Sequence, residues 1–408
     1  MKILVSAYAC EPGKGSEPGV GWNFVKEMSK RHDLTVLTRA NNRSAIERCG
    51  EDWTKRVRWV WYDPPRWLTF WKRGGRGVQF FYLVWQLGVA KMVRRSFRPG
   101  DFDLVHHITF GTYWIPSFLG SFGPPLVFGP VGGGDETPPA FKKSYSARGR
   151  FAEFKKSVAV FLSTALFRPA FRKAALAVAA TGQNAEKLRR IVRCPVVVHP
   201  QSAISSEDAE AMKRIADSTP KPDRPRFVTA CRLEHWKAVD LAIKAFPAVL
   251  ETLPDATLEI VGTGPEEERL RKTAARLGLE NCVRFLGRLP RLEDVYRTIA
   301  GSAALVHPAL HESFGQACLE AVALGRPVVC WNHGGPGLIA SRCGMGAVPV
   351  PDDGTDLSGL AAAMVAAFRA PPPALPDSFL WPSWCDVLFS EEMHVQKKRN
   401  ERTNAHGH

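Results

Sequence analysis

The sequence predicts an α/β protein made of two doubly wound parallel sheets in succession. Three observations carry this. Short apolar runs alternate with amphipathic stretches over most of the chain, and glycine-bearing turns follow the apolar runs. A polar segment rich in Pro, Asp and Ser, Ser202 to Arg224, interrupts the alternation once near the middle and marks a domain boundary. A length of 408 residues suits two domains of about 150–200 residues better than one core. The expected division is 1–200, 201–376, a C-terminal segment over 377–396 that packs back on the first domain, and a disordered polar tail over 397–408.

In the first half, strands are expected at Lys2–Ala9, Leu34–Thr38, Val57–Tyr62, Leu104–His106, Pro125–Phe128, Ala177–Ala180 and Val196–Val198. Helical patterns fall at Trp22–Arg31, Val78–Arg95, Phe151–Phe167 and Asn184–Ile191. The second half has a cleaner period. Strands are expected at Arg226–Cys231, Ala256–Val261, Val283–Leu286, Ala303–Val306, Val328–Trp331 and Ala347–Val350. Helices between and after them are expected at Val239–Leu250, Glu266–Leu277, Leu292–Ile299, Gly315–Leu324 and Leu357–Phe368.

Composition excludes several classes. No apolar run reaches the ~18 residues needed to span a bilayer. Met1 to Val5 reads as a strand instead of a signal peptide, so a cytosolic location is expected. Nine cysteines are scattered without a C-x-x-C pair or a His/Cys cluster at zinc spacing, which predicts neither a disulfide framework nor a metal site. Asp101-Phe102-Asp103 mimics a metal-binding D-x-D, but it precedes a strand instead of ending one. The loop Glu11 to Trp22 is glycine-rich without matching G-x-G-x-x-G, and the second strand ends Leu37-Thr38-Arg39 with no acid for a dinucleotide ribose. A dinucleotide oxidoreductase is disfavoured.

Charge divides unevenly. Residues 1–200 hold 32 Lys/Arg against 14 Asp/Glu; the remainder holds 23 against 26. The basic half also concentrates six of the twelve tryptophans: Trp53, Trp59, Trp61, Trp67, Trp71 and Trp85. Tryptophan beside Arg66, Lys72, Arg73 and Arg76 suits an anionic membrane surface, with core packing the competing reading for Trp59 and Trp61. No nucleic-acid motif accompanies the charge, so no nucleic-acid partner is expected.

The most informative stretch is His311-Glu312-Ser313-Phe314-Gly315-Gln316-Ala317-Cys318-Leu319-Glu320. Two glutamates stand eight positions apart across a helix start, about 12 Å at ~1.5 Å per residue, with the anion-binding helix N-terminus between them. This E-x7-E pattern resembles the retaining glycosyltransferases of family 4. Three further blocks support the resemblance in order: Thr229 to Lys237, Ile260 to Pro265, and Val283 to Leu289. It implies the GT-B fold, two Rossmann-like domains facing a central cleft, and a metal-independent transferase that uses a nucleotide-sugar as substrate and no cofactor.

Residue by residue, the resemblance implies that Arg232 and Lys237 hold the donor diphosphate. Glu312 stands near the transferred sugar and Glu320 accepts from the ribose hydroxyls. Ser313, Phe314, Gly315 and Gln316 offer the phosphates the helix start, and Leu289 belongs to the nucleobase segment. Gly19 and Gly21 in the first glycine loop are candidates to face the donor. The histidine that touches the transferred sugar in several relatives is replaced by Pro130-Val131, so His106 or His107 is a candidate substitute. Cys231 and Ala238 stand where glycines are common. The implied acceptor is a glycan or lipid-linked intermediate at the inner face of the membrane, in cell-surface polysaccharide or glycolipid synthesis. The alternative is an inactive glycan-binding or regulatory subunit.

Overall fold

Lys2 to Ala7 (β1) is buried on all but its first residue, as a strand covered on both faces must be. It is an interior strand of the first sheet in a computed structural model that describes residues 1–72, 77–145, 147–220 and 222–391. The expected tail at 397–408, the end of the 377–396 segment, and Arg73 and Arg76 lie outside the described residues. Onward from β1 come α1 (Ser16–Met28), β2 (Asp33–Thr38), α2 (Arg43–Arg48), β3 (Arg58–Trp61), α3 (Val78–Ser96), β4 (Leu104–Thr109) and β5 (Leu126–Val131). Then follow α4 (Ala147–Leu166), α5 (Arg168–Phe171), β6 (Ala174–Ala179), α6 (Gly182–Arg189) and β7 (Val196–Val198). All pairs are parallel, in the order β3-β2-β1-β4-β5-β6-β7.

Side chains alternate across this sheet. Leu4, Leu37, Val105 and Phe128 pack on one face with α3 residues Tyr82, Trp85 and Val89. Ile3, Val5, Val36 and Leu104 pack on the other with Phe24 and Val25 of α1, and Trp381, Trp384, Cys385 and Leu388 complete that core. Trp53 lies in the same cluster with Trp59 and Trp61 against it, and Trp85 is fully buried in the other. Five of the six tryptophans expected at a membrane face therefore pack in or against the core. Trp71 packs against the α3 cluster, and Trp67 is the exposed one of the six.

The second sheet is built from β8 (Arg226–Ala230), β9 (Thr257–Val261), β10 (Val283–Gly287), β11 (Ala304–His307) and β12 (Val328–Cys330), parallel in the order β10-β9-β8-β11-β12. Its helices are α7 (Ser206–Ser218), α8 (Val239–Thr252), α9 (Glu267–Arg276), α10 (Leu292–Ala300), α11 (Gln316–Ala323), α12 (Gly334–Arg342) and α13 (Ser358–Arg369). Phe227, Leu258, Ile260 and Val306 meet α8, α9 and α13 on one face; Val228, Val261, Leu305 and Val328 meet α7, α10, α11 and α12 on the other.

Contacts divide the chain into two compact units. Met1–Gly134, Val158–Ala203 and the residues from Trp381 form the first, and Asp135–Ser157 with Ile204–Leu380 form the second. The division differs from the expected 1–200 and 201–376, because Phe141 and Tyr145 are core residues of the second unit. The polar segment read as a domain boundary holds α7, opened by a Ser205 cap whose hydroxyl accepts from the Asp208 N–H at 2.9 Å. Conversely, Ala347–Val350 contributes one isolated bridge, Trp331 to Val348, instead of a strand. Pro349 and Pro351 remove the backbone donors that a ladder needs.

Candidate functional site

Open parallel sheets bind ligands beyond the carboxyl ends of the strands, where the strand order reverses. In the second unit that point lies between β8 and β11. Arg232 and Lys237 follow β8; His307 ends β11, and Glu312 and Ser313 follow it just ahead of α11. The topology alone thus gathers four of the sequence-predicted residues at one crevice.

Lys237 is withdrawn from solvent, its side chain 12% exposed, and its ammonium donates to Glu312 Oε2. His307 Nε2 stands 2.8 Å from the same oxygen. Burial alone would raise the Glu312 carboxyl. The Lys237 charge and the His307 hydrogen bond outweigh it and hold the group well below the ordinary carboxylate range. Glu312 is therefore a fixed anion. Arg232 is different, with a side chain 76% exposed and only a 3.8 Å approach to Glu234. It is free to meet an incoming anion.

Glu320 sits one face over, on α11, among α10 and α7. Burial lifts its pKa to about 7 against hydrogen bonds to Gln316 and Tyr296, and the Asp208 charge adds to the rise. Gly315 caps α11 with φ of +88°, a left-handed conformation that favours glycine, so the chain turns sharply from Glu312 into the helix. Phe314 anchors the turn in the core, and the Ser313 hydroxyl donates to Asp135 at 2.6 Å. Beneath it, the Gly335 N–H donates to the Glu312 carbonyl at 2.7 Å. A Cβ at Gly335 would fall 2.3 Å from the Phe314 Cα.

The glycine turn Gly262-Thr263-Gly264 also has a packing reason, because Cβ atoms there would lie 1.9 Å from the Cys231 carbonyl oxygen and 2.4 Å from that of Leu233. Ala238 takes φ of +48°, so an alanine holds the left-handed position where the resemblance expects glycine. Leu289 lies just past β10, packed against the cluster that includes Phe314.

First-unit candidates fare differently. Gly19 and Gly21 belong to α1, which starts six residues earlier than expected, at Ser16. Added Cβ atoms would stand 2.3 Å from the Lys14 carbonyl oxygen and 2.1 Å from that of Ala9, so close backbone packing accounts for both. His107 is fully buried, 3.1 Å from the Tyr82 hydroxyl, and burial pushes its imidazole down to about 3. That neutral ring is buried beside Tyr82 of α3. His106, also fully buried, bonds the Gly129 carbonyl oxygen.

Several residues escaped sequence reasoning. His307, Asp135, Tyr296 and Asp208 belong to no short motif and are brought in by tertiary contact. Glu17 sits where the first sheet reverses order, accepting from the Gly111 N–H at 3.0 and 3.2 Å, and burial raises it to about 7. Its position in a glycine loop before a helix was the available signal.

Residues 212–360 match the family model described as glycosyl transferases group 1. The chain is 32% identical over 183 residues to a glycogen synthase of Mycobacterium tuberculosis, covering 42% of each chain. It is 37% identical over 141 residues to a GDP-mannose-dependent monoacylated alpha-(1-6)-phosphatidylinositol monomannoside mannosyltransferase of Corynebacterium glutamicum, covering 32% of this chain and 34% of that one. The match spans under half the length of these two relatives. Across nearly the whole chain the fold is that of sucrose-phosphate synthase from Thermosynechococcus elongatus, at a TM-score of 0.62 and 15% identity, covering 97% of this chain and 99% of that one. The fold is GT-B, and residues 212–360, the span that matches the glycosyl transferases group 1 model, hold every second-unit candidate from Arg232 to Glu320.

Proposed function

We propose that the protein is a retaining glycosyltransferase of family 4 type that moves a sugar from a nucleoside-diphosphate donor to a hydroxyl of a glycan or lipid-linked acceptor. The observation that supports it most is the crevice at β8 and β11, with a free Arg232, a screened Lys237, a fixed Glu312 anion and Glu320 one helix turn beyond the α11 start. Arg232, Lys237 and the backbone N–H groups from Phe314 to Gln316 take the diphosphate, whose charge grows as the bond to the sugar breaks. Glu312 faces the positive charge that develops at the anomeric carbon. Glu320, once ionised, accepts from the ribose hydroxyls. The acceptor oxygen bonds to the anomeric carbon on the side from which the diphosphate leaves, and its proton passes to a phosphate oxygen. Chain cations meet the charge, so the step itself requires no divalent ion.

We propose further that it docks on an anionic membrane from the cytoplasmic side, where surface-polysaccharide or glycolipid precursors are built. Phe161 and Leu166 of α4 are 70% and 71% exposed, with Phe151, Phe154, Val158 and Leu162 also exposed on that helix. Trp67 and Phe70 are 75% and 80% exposed, and Phe80 and Leu87 stand out from α3. Apolar groups exposed in such number beside a basic half suit a lipid interface. Incubation with UDP-, GDP- and ADP-sugars and a panel of lipid-linked acceptors tests the reaction. Transfer with the anomeric configuration kept, read by NMR of the product, is expected. Inversion, or no transfer and no donor hydrolysis with any of them, contradicts it.

A further inference from the structure

Beside the crevice, three side chains from separate elements converge on one point. Glu153 projects from the early turns of α4, His235 opens the turn after β8, and His311 precedes Glu312. His235 Nε2 is 3.0 Å and His311 Nε2 3.2 Å from the same carboxylate oxygen, Glu153 Oε1, and the three ligand atoms lie within 4.8 Å of one another. We propose that Glu153, His235 and His311 form a binding site for one divalent transition-metal ion of the Zn²⁺ or Co²⁺ class, with water in the fourth position.

The spacing supports this. A tetrahedron with bonds of about 2.0–2.1 Å has edges of roughly 3.3 Å, so the two nitrogen-to-oxygen distances already match a coordination polyhedron to within a few tenths of an ångström. The ligand set is chemically apt as well. Two imidazoles and one carboxylate suit Zn²⁺, Co²⁺ or Ni²⁺, whereas Ca²⁺ and Mg²⁺ require more oxygen donors. Lys156 places a positive charge close enough to act on both Glu153 and His311. A hard ion held by charge is thereby disfavoured against one held by coordinate bonds.

The site is also built. The Tyr145 ring meets His235 edge-on at 4.9 Å, and Trp236 stacks on His311 at 5.7 Å. A Cβ at Gly149 would lie 3.1 Å from the His235 ring, so glycine lets α4 press against the imidazole. Both histidines are therefore held in place before any ion arrives. An ion there ties α4 to the two loops that carry Lys237 and Glu312, bracing the crevice without entering the reaction. No short motif joins the three, because Glu153 lies 82 residues from His235 and 158 from His311.

The test is a Co²⁺ titration of the full chain under a non-thiol reductant, followed by absorption spectroscopy, with Zn²⁺ added in parallel thermal melts. One Co²⁺ per chain is expected, with tetrahedral d–d bands and no thiolate charge-transfer band. Glu153→Gln and His311→Asn, shown to be folded by near-ultraviolet circular dichroism, should each weaken binding roughly tenfold or more. Zn²⁺ should raise the melting midpoint of the parent and leave that of Glu153→Gln unchanged. Absence of binding by the parent, a thiolate band, or unchanged affinity in both variants overturns the proposal.

Discussion

Lys237 and Arg232 carry the same charge and answer to different constraints. Lys237 is shielded and paired with a buried carboxylate, so its removal leaves Glu312 ionised without its main partner; Arg232 reaches into solvent. Lys237→Ala should cost about 3–5 kcal/mol of stability as well as turnover. Arg232→Ala should leave denaturation unchanged and slow turnover by about 2–4 kcal/mol of transition-state free energy. Urea denaturation and steady-state kinetics separate the two. Equal stability losses would refute the distinction.

Glu320 makes a pH prediction of opposite sign to Glu312. Its folded pKa is raised to about 7, so its contribution to stability is complete below the ordinary carboxylate range and is lost as pH rises through about 7. Glu312 is depressed, and its contribution is present at neutral pH and fades as pH falls below that range. Glu320→Gln should therefore stabilise the protein at pH 8 by on the order of 1–2 kcal/mol and change little at pH 4.5. Donor affinity in the parent should rise from pH 6 to pH 8 as the carboxylate ionises, and a flat profile would remove Glu320 from the ribose.

At the scale of elements, the link between α11 and α12 decides how the E-x7-E segment is held. Gly335 packs on the Phe314 backbone, so Gly335→Ala should cost about 1–3 kcal/mol and weaken donor binding. Gly346, with nothing within 4 Å of an added Cβ, is the control, and its alanine variant should melt with the parent. A cold Gly335→Ala melt identical to the control would show that the contact is relaxed at no cost.

The same region shows what was legible in the sequence. β8 to β12 and α8 to α11 follow apolar periodicity that propensity and burial both support, and the crevice residues Arg232, Lys237, Glu312 and Glu320 stand within a short motif or a recognisable block. α12 was missed because Gly334-Gly335-Pro336-Gly337 has the composition of a turn; proline fits a helix start, and the glycines are demanded by tertiary approach. α7 was missed because it buries Met212 alone, leaving a polar surface that reads as a domain boundary. The burial of His107 was illegible for a related reason. A histidine at a strand end gives no sign of whether it faces solvent, and its burial is decided by Tyr82 on a helix packed from elsewhere in the chain.

For the whole molecule, the exposed apolar side chains of α4 with Trp67, Phe70, Phe80 and Leu87 set the expectation that the protein adsorbs to vesicles containing anionic lipid, binds neutral ones poorly, and desorbs as salt rises. Phe161→Asp, Leu162→Asp and Leu166→Asp together should release it without loss of stability, since all three side chains are already exposed. Vesicle co-sedimentation reads the result. Persistent binding by the triple variant would move the docking face elsewhere.

The central claim is that the β8–β11 crevice binds the donor's nucleoside diphosphate. Calorimetric titration of UDP, GDP and ADP into the parent, Arg232→Ala and Glu320→Gln tests it most directly. At least one nucleotide should bind the parent with one-to-one stoichiometry, and both variants should bind it roughly tenfold or more weakly, as the loss of a charge-assisted contact requires. A parent that binds none of the three, or variants that bind as the parent does, would contradict the account.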